Sequence, residues 1–222
     1  MSSTVDKPPR HYPTPGAKCA DLVVHVAGLT LALIGGTVLF LLALGLDGPG
    51  KVVSVTVYAA SLLAMLGLST AYNFAKATWR PLLRRFDHAG IFLMIAGSYT
   101  PFTTQVLTGQ WAMWMTAAVW SVAVAGALGK LLIPDLGRGA WVGVYLLLGW
   151  LIVIALKPLV SAVPFIALVL LALGGTIYST GVIFYLAKRL KFHRAIWHGH
   201  VVAAAGAHWA AVLIGVVLAG TR

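Results

Sequence analysis

Acid is almost missing from this sequence. Its 222 residues hold five aspartates and no glutamate, one cysteine, and charged side chains at only 9% of positions. Each scarcity excludes something. The single cysteine, Cys19, has no partner for an internal disulfide and offers no thiolate cluster to a metal. A soluble globular domain carries about 25% charged residues, and a chain that is 60% hydrophobic with a mean hydropathy of +0.92 does not have that balance. The composition is that of an integral membrane protein.

Crossing a hydrocarbon core of about 30 Å takes about 20 apolar residues, and on that scale the chain resolves into seven segments. They run over 21–46, 52–74, 88–107, 111–132, 141–156, 163–186 and 195–219. The fifth is the shortest, because Lys157 and Pro158 interrupt it. Turn residues separate the segments at Asp47-Gly-Pro-Gly, Thr108-Gly-Gln and Pro134-Asp-Leu-Gly. The expected fold class is therefore all-α, with seven transmembrane helices. Residues 1–20 are expected to form a polar cytoplasmic tail, with four prolines and no apolar run typical of a secretory signal. Residues 21–222 are expected to form one transmembrane domain.

Charge sets the expected orientation. With the N-terminus inside, Lys7, Arg10, Lys18, Lys76, Arg80, Arg84, Arg85, Lys130, Arg138, Lys188, Arg189, Lys191 and Arg194 fall on one side, and only Lys51, Lys157 and Arg222 on the other. Positive residues mark cytoplasmic loops, so the N-terminus is expected in the cytoplasm and the C-terminus opposite. The net charge of +11 is explained by this topology signal and by contact with anionic lipid rather than by nucleic acid, which is not an expected partner.

Against that background an acid at a helix end stands out. Asp87 opens the stretch RRFDHAGIFLMIAGSYTPF. One reading is a helix N-cap, which stabilises by about 1 kcal/mol. The other reading rests on its company. Ser69 and Asn73 share a face at i,i+4 near the end of the second segment, as do Arg194 and His198 at the start of the seventh. Three helices then carry polar groups at one depth, where unsatisfied polar groups are costly.

At these residues the chain resembles the hemolysin III family, bacterial relatives of the adiponectin and progestin receptors. The stretches STAYN, RRFDHAGIFLMIAGSYTPF, GGTIYSTGVIFY and RAIWHGHVVAAAGAHW carry the resemblance, with DLVVHVAG in the first segment. It implies a bacterial inner-membrane protein with a site built from a Ser and a His of the second helix, an Asp of the third and two His of the seventh. In that pattern the three histidines hold zinc, and the activity implied is hydrolysis of lipid amides. Ser69, Asp87 and His198 match the pattern and are the candidate catalytic residues, with His198 the one retained metal ligand. Asn73 and Arg194 stand where the other two histidines are expected.

Zinc takes about four nitrogen, sulfur or carboxylate ligands, and a permanent guanidinium cation opposes it. No cofactor is therefore expected, with zinc the alternative through a set that draws on His88 or His208. Arg194 has two readings: an ion pair with Asp87 in place of the metal, or an interfacial side chain reaching for water. Asp21, His25, Tyr72, His88 and His208 are candidates for the surrounding shell or cavity. At 100° per residue His193 and His200 point away from His198, while His208 returns to its face about 15 Å deeper. Pro101 reads as a kink, Trp111, Trp114, Trp141 and Trp150 as interface anchors, and Gly174, Gly175 and Gly181 as sites of close helix contact.

Three functions are compatible with this reading: lipid-linked sensing or membrane homeostasis, hydrolysis of lipid amides or esters, and cytolysis by pore formation. The expected partners are membrane lipids, with a lipid or fatty acid in the helix cavity. The sequence assigns no oligomeric state. The orientation is checked by fusing a reporter that fluoresces only in the cytoplasm to Arg222. A dark fusion is expected.

Overall fold

The computed structural model describes residues 11–45, 48–133 and 137–219, without the side chain of Arg138. The turns expected at Asp47 and at 134–136, and the tail residues Lys7 and Arg10, lie outside the described residues, as does Arg222. Every regular element among the described residues is helical.

The chain forms α1 (Pro15–Gly45), α2 (Pro49–Phe74), α3 (Arg80–Gln105), α4 (Gly109–Leu132), α5 (Arg138–Gly149), a 3-10 stretch (Leu151–Ala155), α6 (Leu156–Ala162), α7 (Phe165–Leu186) and α8 (His193–Val212), which continues as a π-helical turn to Val217. Counting α5, the 3-10 stretch and α6 as one rod, six helices are long and apolar enough to cross a membrane. The seventh rod is α3. At 26 residues it is about 39 Å long, but it carries more polar residues than the other six, from Arg84, Arg85, Asp87 and His88 at its start to Thr103, Thr104 and Gln105 at its end. Gly109 turns the chain from α3 into α4 at a positive φ of 55°, as the Thr108-Gly-Gln motif predicts.

Two helices start earlier than their apolar runs. α1 opens at Pro15, where the Thr14 hydroxyl accepts the N–H of Ala17 at 3.2 Å. α3 opens at Arg80 with Pro81 in its first turn, a position where the missing N–H costs nothing. Asp87 is therefore two turns inside α3 and caps nothing, which overturns the N-cap reading.

The fifth rod also differs from expectation. It does not end at Leu156 but passes Pro158 and reaches Ala162. The backbone break between α5 and α6 is satisfied from outside. The Tyr99 hydroxyl lies 3.0 and 2.8 Å from the carbonyls of Leu148 and Gly149, and accepts the N–H of Ile152 at 2.9 Å. A polar side chain of α3 thus replaces bonds that the interrupted helix cannot make for itself.

Packing follows the chain from α1 to α4, while α8 lies between α7 and α1. α3 touches α2, α4, α5 and α8, and is buried along most of its length from Asp87 to Thr103. Small residues allow this closeness. A Cβ at Gly181 would come within 2.8 Å of the Cβ of His200, and Gly174 and Gly175 face His208 and Trp150, so the expected close contacts of this helix are present. Trp111, Trp114 and Trp150 are exposed as anchors should be, but Trp141 is buried against Gly129 and Phe92.

Replacing Tyr99 by Phe leaves the α5–α6 break unsatisfied at a buried site. The expected loss is about 1 to 3 kcal/mol, read as reduced thermal stability of the detergent-solubilised protein.

Candidate functional site

The start of α1, the ends of α2, α4 and α7 and the starts of α3, α5 and α8 meet at one end of the bundle around a cavity of about 410 Å³. Ser69, Asn73, Asp87, Arg194 and His198 all line it, as do His25, Tyr72 and His88. The convergence expected from helical spacing is therefore present.

The floor is organised by Asp21, which has no exposed surface. One carboxylate oxygen accepts the Tyr12 hydroxyl at 2.5 Å, and the other lies 2.6 Å from Nδ1 of His198. The backbone carbonyl of Asp21 lies 2.8 Å from Nδ1 of His25. A carbonyl only accepts, so His25 carries its proton on Nδ1 and presents a lone pair at Nε2. The same logic places a proton on Nδ1 of His198. The two rings stand edge to face, 4.4 Å between centroids.

Above this floor, Nε2 of His25 lies 3.4 Å from the Ser69 hydroxyl. Asn73 donates from Nδ2 to the Ser69 carbonyl at 3.0 Å and reaches the Ser69 hydroxyl at 3.4 Å. Its carbonyl oxygen accepts from Arg194 and from Nε2 of His11, both at 3.2 Å. His11 then offers its Nδ1 to the second Arg194 amine at 3.5 Å. Burial and the Arg194 guanidinium hold the pKa of His11 down to about 4, so near neutral pH it bridges as a neutral ring. Burial and the bond to Asp21 push the Tyr12 hydroxyl up, and it stays a donor.

Arg194 points inward, yet among the described residues it makes no ion pair with Asp87, and the ion pairs found there join Asp21 to His25 and His198. The expected Arg194–Asp87 bond is corrected by geometry. Asn73 and His11 take the guanidinium, and the ring of Tyr12 lies 5.7 Å beneath it. Asp87 is buried at 9% exposure, with the Ser69 hydroxyl within hydrogen-bonding reach.

The other expected residues divide. Tyr72 lines the cavity and meets the His11 ring edge to face. His88 lines it beside Tyr185. His208 is not in the cavity: it packs on Tyr178, with Nε2 at 3.4 Å from the Leu171 carbonyl, because ten residues of helix carry it too deep. His200 turns away to Phe184, whereas His193 lines the cavity despite its angular offset. His11 and Tyr12 were not foreseen, since a tail residue carries no periodicity to betray a contact 62 residues away.

Asp21, His25 and His198 form a group that could hold a metal, with ligand atoms within 4.8 Å of one another. Both oxygens of Asp21 are occupied by Tyr12 and His198, so the Nε2 atoms of the two histidines are the nitrogens left for such an ion. A three-imidazole zinc site on Asn73, Arg194 and His198 does not fit these residues, because Asn73 and Arg194 bond each other and one is a cation.

Residues 19–209 match the family described as haemolysin-III related. The chain belongs to that family. It is 33% identical over 195 residues to the Hemolysin-3 homolog of Bacillus subtilis (strain 168), covering 87% of this chain and 92% of the relative. It is also 33% identical over 180 residues to Hemolysin-3 of Bacillus cereus, covering 81% and 82%. The human Monocyte to macrophage differentiation factor is 26% identical over 212 residues, covering 91% of this chain and 86% of that one. The match takes in α1 from Cys19 to the interior of α8, and so the helices that carry Asp21, Ser69, Asp87 and His198.

In this haemolysin-III related protein Tyr12 secures a carboxylate that has no access to water. Tyr12→Phe removes one charge-assisted hydrogen bond and is expected to cost about 1.5 to 3 kcal/mol. Thermal unfolding of the two forms in one detergent checks it.

Proposed function

We propose that the protein binds an anionic amphiphile in this cavity, with a carboxylate or phosphate headgroup held at the polar floor, and that this binding serves lipid-linked sensing or membrane homeostasis. The observation that carries the reading is the charge of the lining, where among the described residues five cationic side chains stand with one carboxylate. An anionic headgroup brings the acceptors that such donors bind most strongly.

Charge and shape support the same chemistry. Among the described residues, Arg84, Arg85, Lys130, Lys188 and Arg194 line the cavity with one carboxylate, that of Asp87. Val24, Leu66, Ile91, Val201 and Val202 supply apolar wall for an acyl chain. The excess of positive residues in the loops at that end supports a mouth on the cytoplasmic side of the bacterial plasma membrane. The binding needs no metal; zinc at the Nε2 atoms of His25 and His198 is the alternative cofactor, and hydrolysis of a lipid amide or ester is the alternative activity. Pore formation has less support, since the core beyond the cavity is built from residues such as Leu39, Leu62, Phe92 and Phe102.

The test is titration of the solubilised protein with a fluorescent fatty acid and with the corresponding fatty alcohol. The acid is expected to bind and the alcohol to bind at least about tenfold more weakly, since one charge-assisted bond contributes about 1.5 to 3 kcal/mol. Arg194→Gln should abolish that preference. Equal binding of acid and alcohol would reject an anion-selective cavity.

A further inference from the structure

Arg194 makes its hydrogen bonds within the chain, and one of its acceptors comes from outside the helices. His11 precedes α1 and belongs to no helix, yet it is fastened to the cavity ends of α2 and α8. We infer that His11 is a displaceable plug: it occupies the edge of the Arg194 guanidinium that an anionic headgroup needs, and the headgroup evicts it on binding. The inference rests on the anion-binding reading and gives that site its regulation.

A guanidinium grips a carboxylate or phosphate with two parallel bonds in either of two ways, through its two terminal amines or through Nε and one amine. In Arg194 the second edge is closed, because Nε is buried away from any ligand. The first edge is taken. One amine donates to the Asn73 carbonyl oxygen at 3.2 Å, and the other faces Nδ1 of His11 at 3.5 Å. Nε2 of His11 donates to that same Asn73 oxygen at 3.2 Å, which leaves Nδ1 as an acceptor. Asn73 and His11 together thus offer the two amines a pair of neutral acceptors, as the two oxygens of a carboxylate would.

His11 is placed to feel a ligand and is weakly held. Tyr72, Asn73 and Arg194, which it meets, all line the cavity. The contact with Arg194 that must break is longer than an ordinary hydrogen bond of about 3 Å. Burial and the guanidinium keep the His11 ring neutral near neutral pH, so it gives Arg194 no counter-charge. An incoming anion replaces it with a bond about twice as strong. Tyr12 limits the movement, because its hydroxyl holds the buried Asp21 carboxylate and its ring stacks on Phe74 at 6.0 Å. Release is therefore confined to His11, and it carries occupancy of the cavity from α8 to the segment before α1. Linkage makes the effect reciprocal: an anion that has to evict His11 binds more weakly for doing so. The plug sets the concentration at which the cavity fills.

The experiment uses the full chain in detergent and diethyl pyrocarbonate, which modifies imidazole nitrogens that are free and accessible. Docked His11 has both nitrogens engaged. Saturation with oleate is expected to raise the rate of modification at His11, read by peptide mass analysis under single-hit conditions, at least about fivefold, the lower end of ordinary coupling between sites. Oleyl alcohol should leave that rate unchanged. His11→Ala should bind oleate at least about fivefold more tightly, with its affinity for the alcohol unchanged. His11→Gln, which keeps one donor and one acceptor, should bind as the wild type does. If His11→Ala does not fold, the wild-type modification rate decides alone. A wild type that prefers oleate but whose His11 stays protected at saturation overturns the plug and leaves the binding proposal standing. So does a His11→Ala form that binds oleate more weakly, since His11 would then be a contact of the headgroup. Oleate binding to His11→Ala and not to the wild type supports the plug in a tighter form. Oleate binding to neither form rejects both proposals.

Discussion

A carboxylate with no exposed surface has to find its hydrogen bonds inside the protein, and the geometry of the whole polar end follows from where Asp21 finds them. Burying an unpaired charge costs several kcal/mol, so the donors are obligatory. Tyr12 supplies one from the segment before α1, and His198 the other from α8. The first and last helices are thereby pinned at the end where the cavity opens. The carbonyl of the same residue orients His25. One aspartate thus fixes two imidazole tautomers and the N-terminal approach of the chain at once.

A second network sits on this one and has the opposite sign. Arg194, Asn73 and His11 close a ring of contacts in which the amide oxygen of Asn73 serves both neighbours. The positive charge at this depth is covalently attached to α8. The consequence is electrostatic. A guanidinium offers donors and no open coordination position, so this point of the cavity favours acceptors over a metal ion.

Much of this was legible in the sequence, and the failures have physical causes. Hydropathy located the rods because each must hide its backbone bonds from lipid. It misplaced the starts of α1 and α3, since a helix that emerges into a polar region continues on its own hydrogen bonds after the apolar run has stopped. It ended the fifth rod too soon because Tyr99, 53 residues before Ile152 in the chain, repairs the break and no local signal announces that repair. In the site, the i,i+4 pairs Ser69–Asn73 and Arg194–His198 were readable from helix geometry alone. Asp21 and His25 were readable as a pair, but their central position depends on the α1–α8 contact. The partner of Arg194 was not readable. Charge alone favours Asp87, and only the packed structure shows that Asn73 and His11 reach the guanidinium.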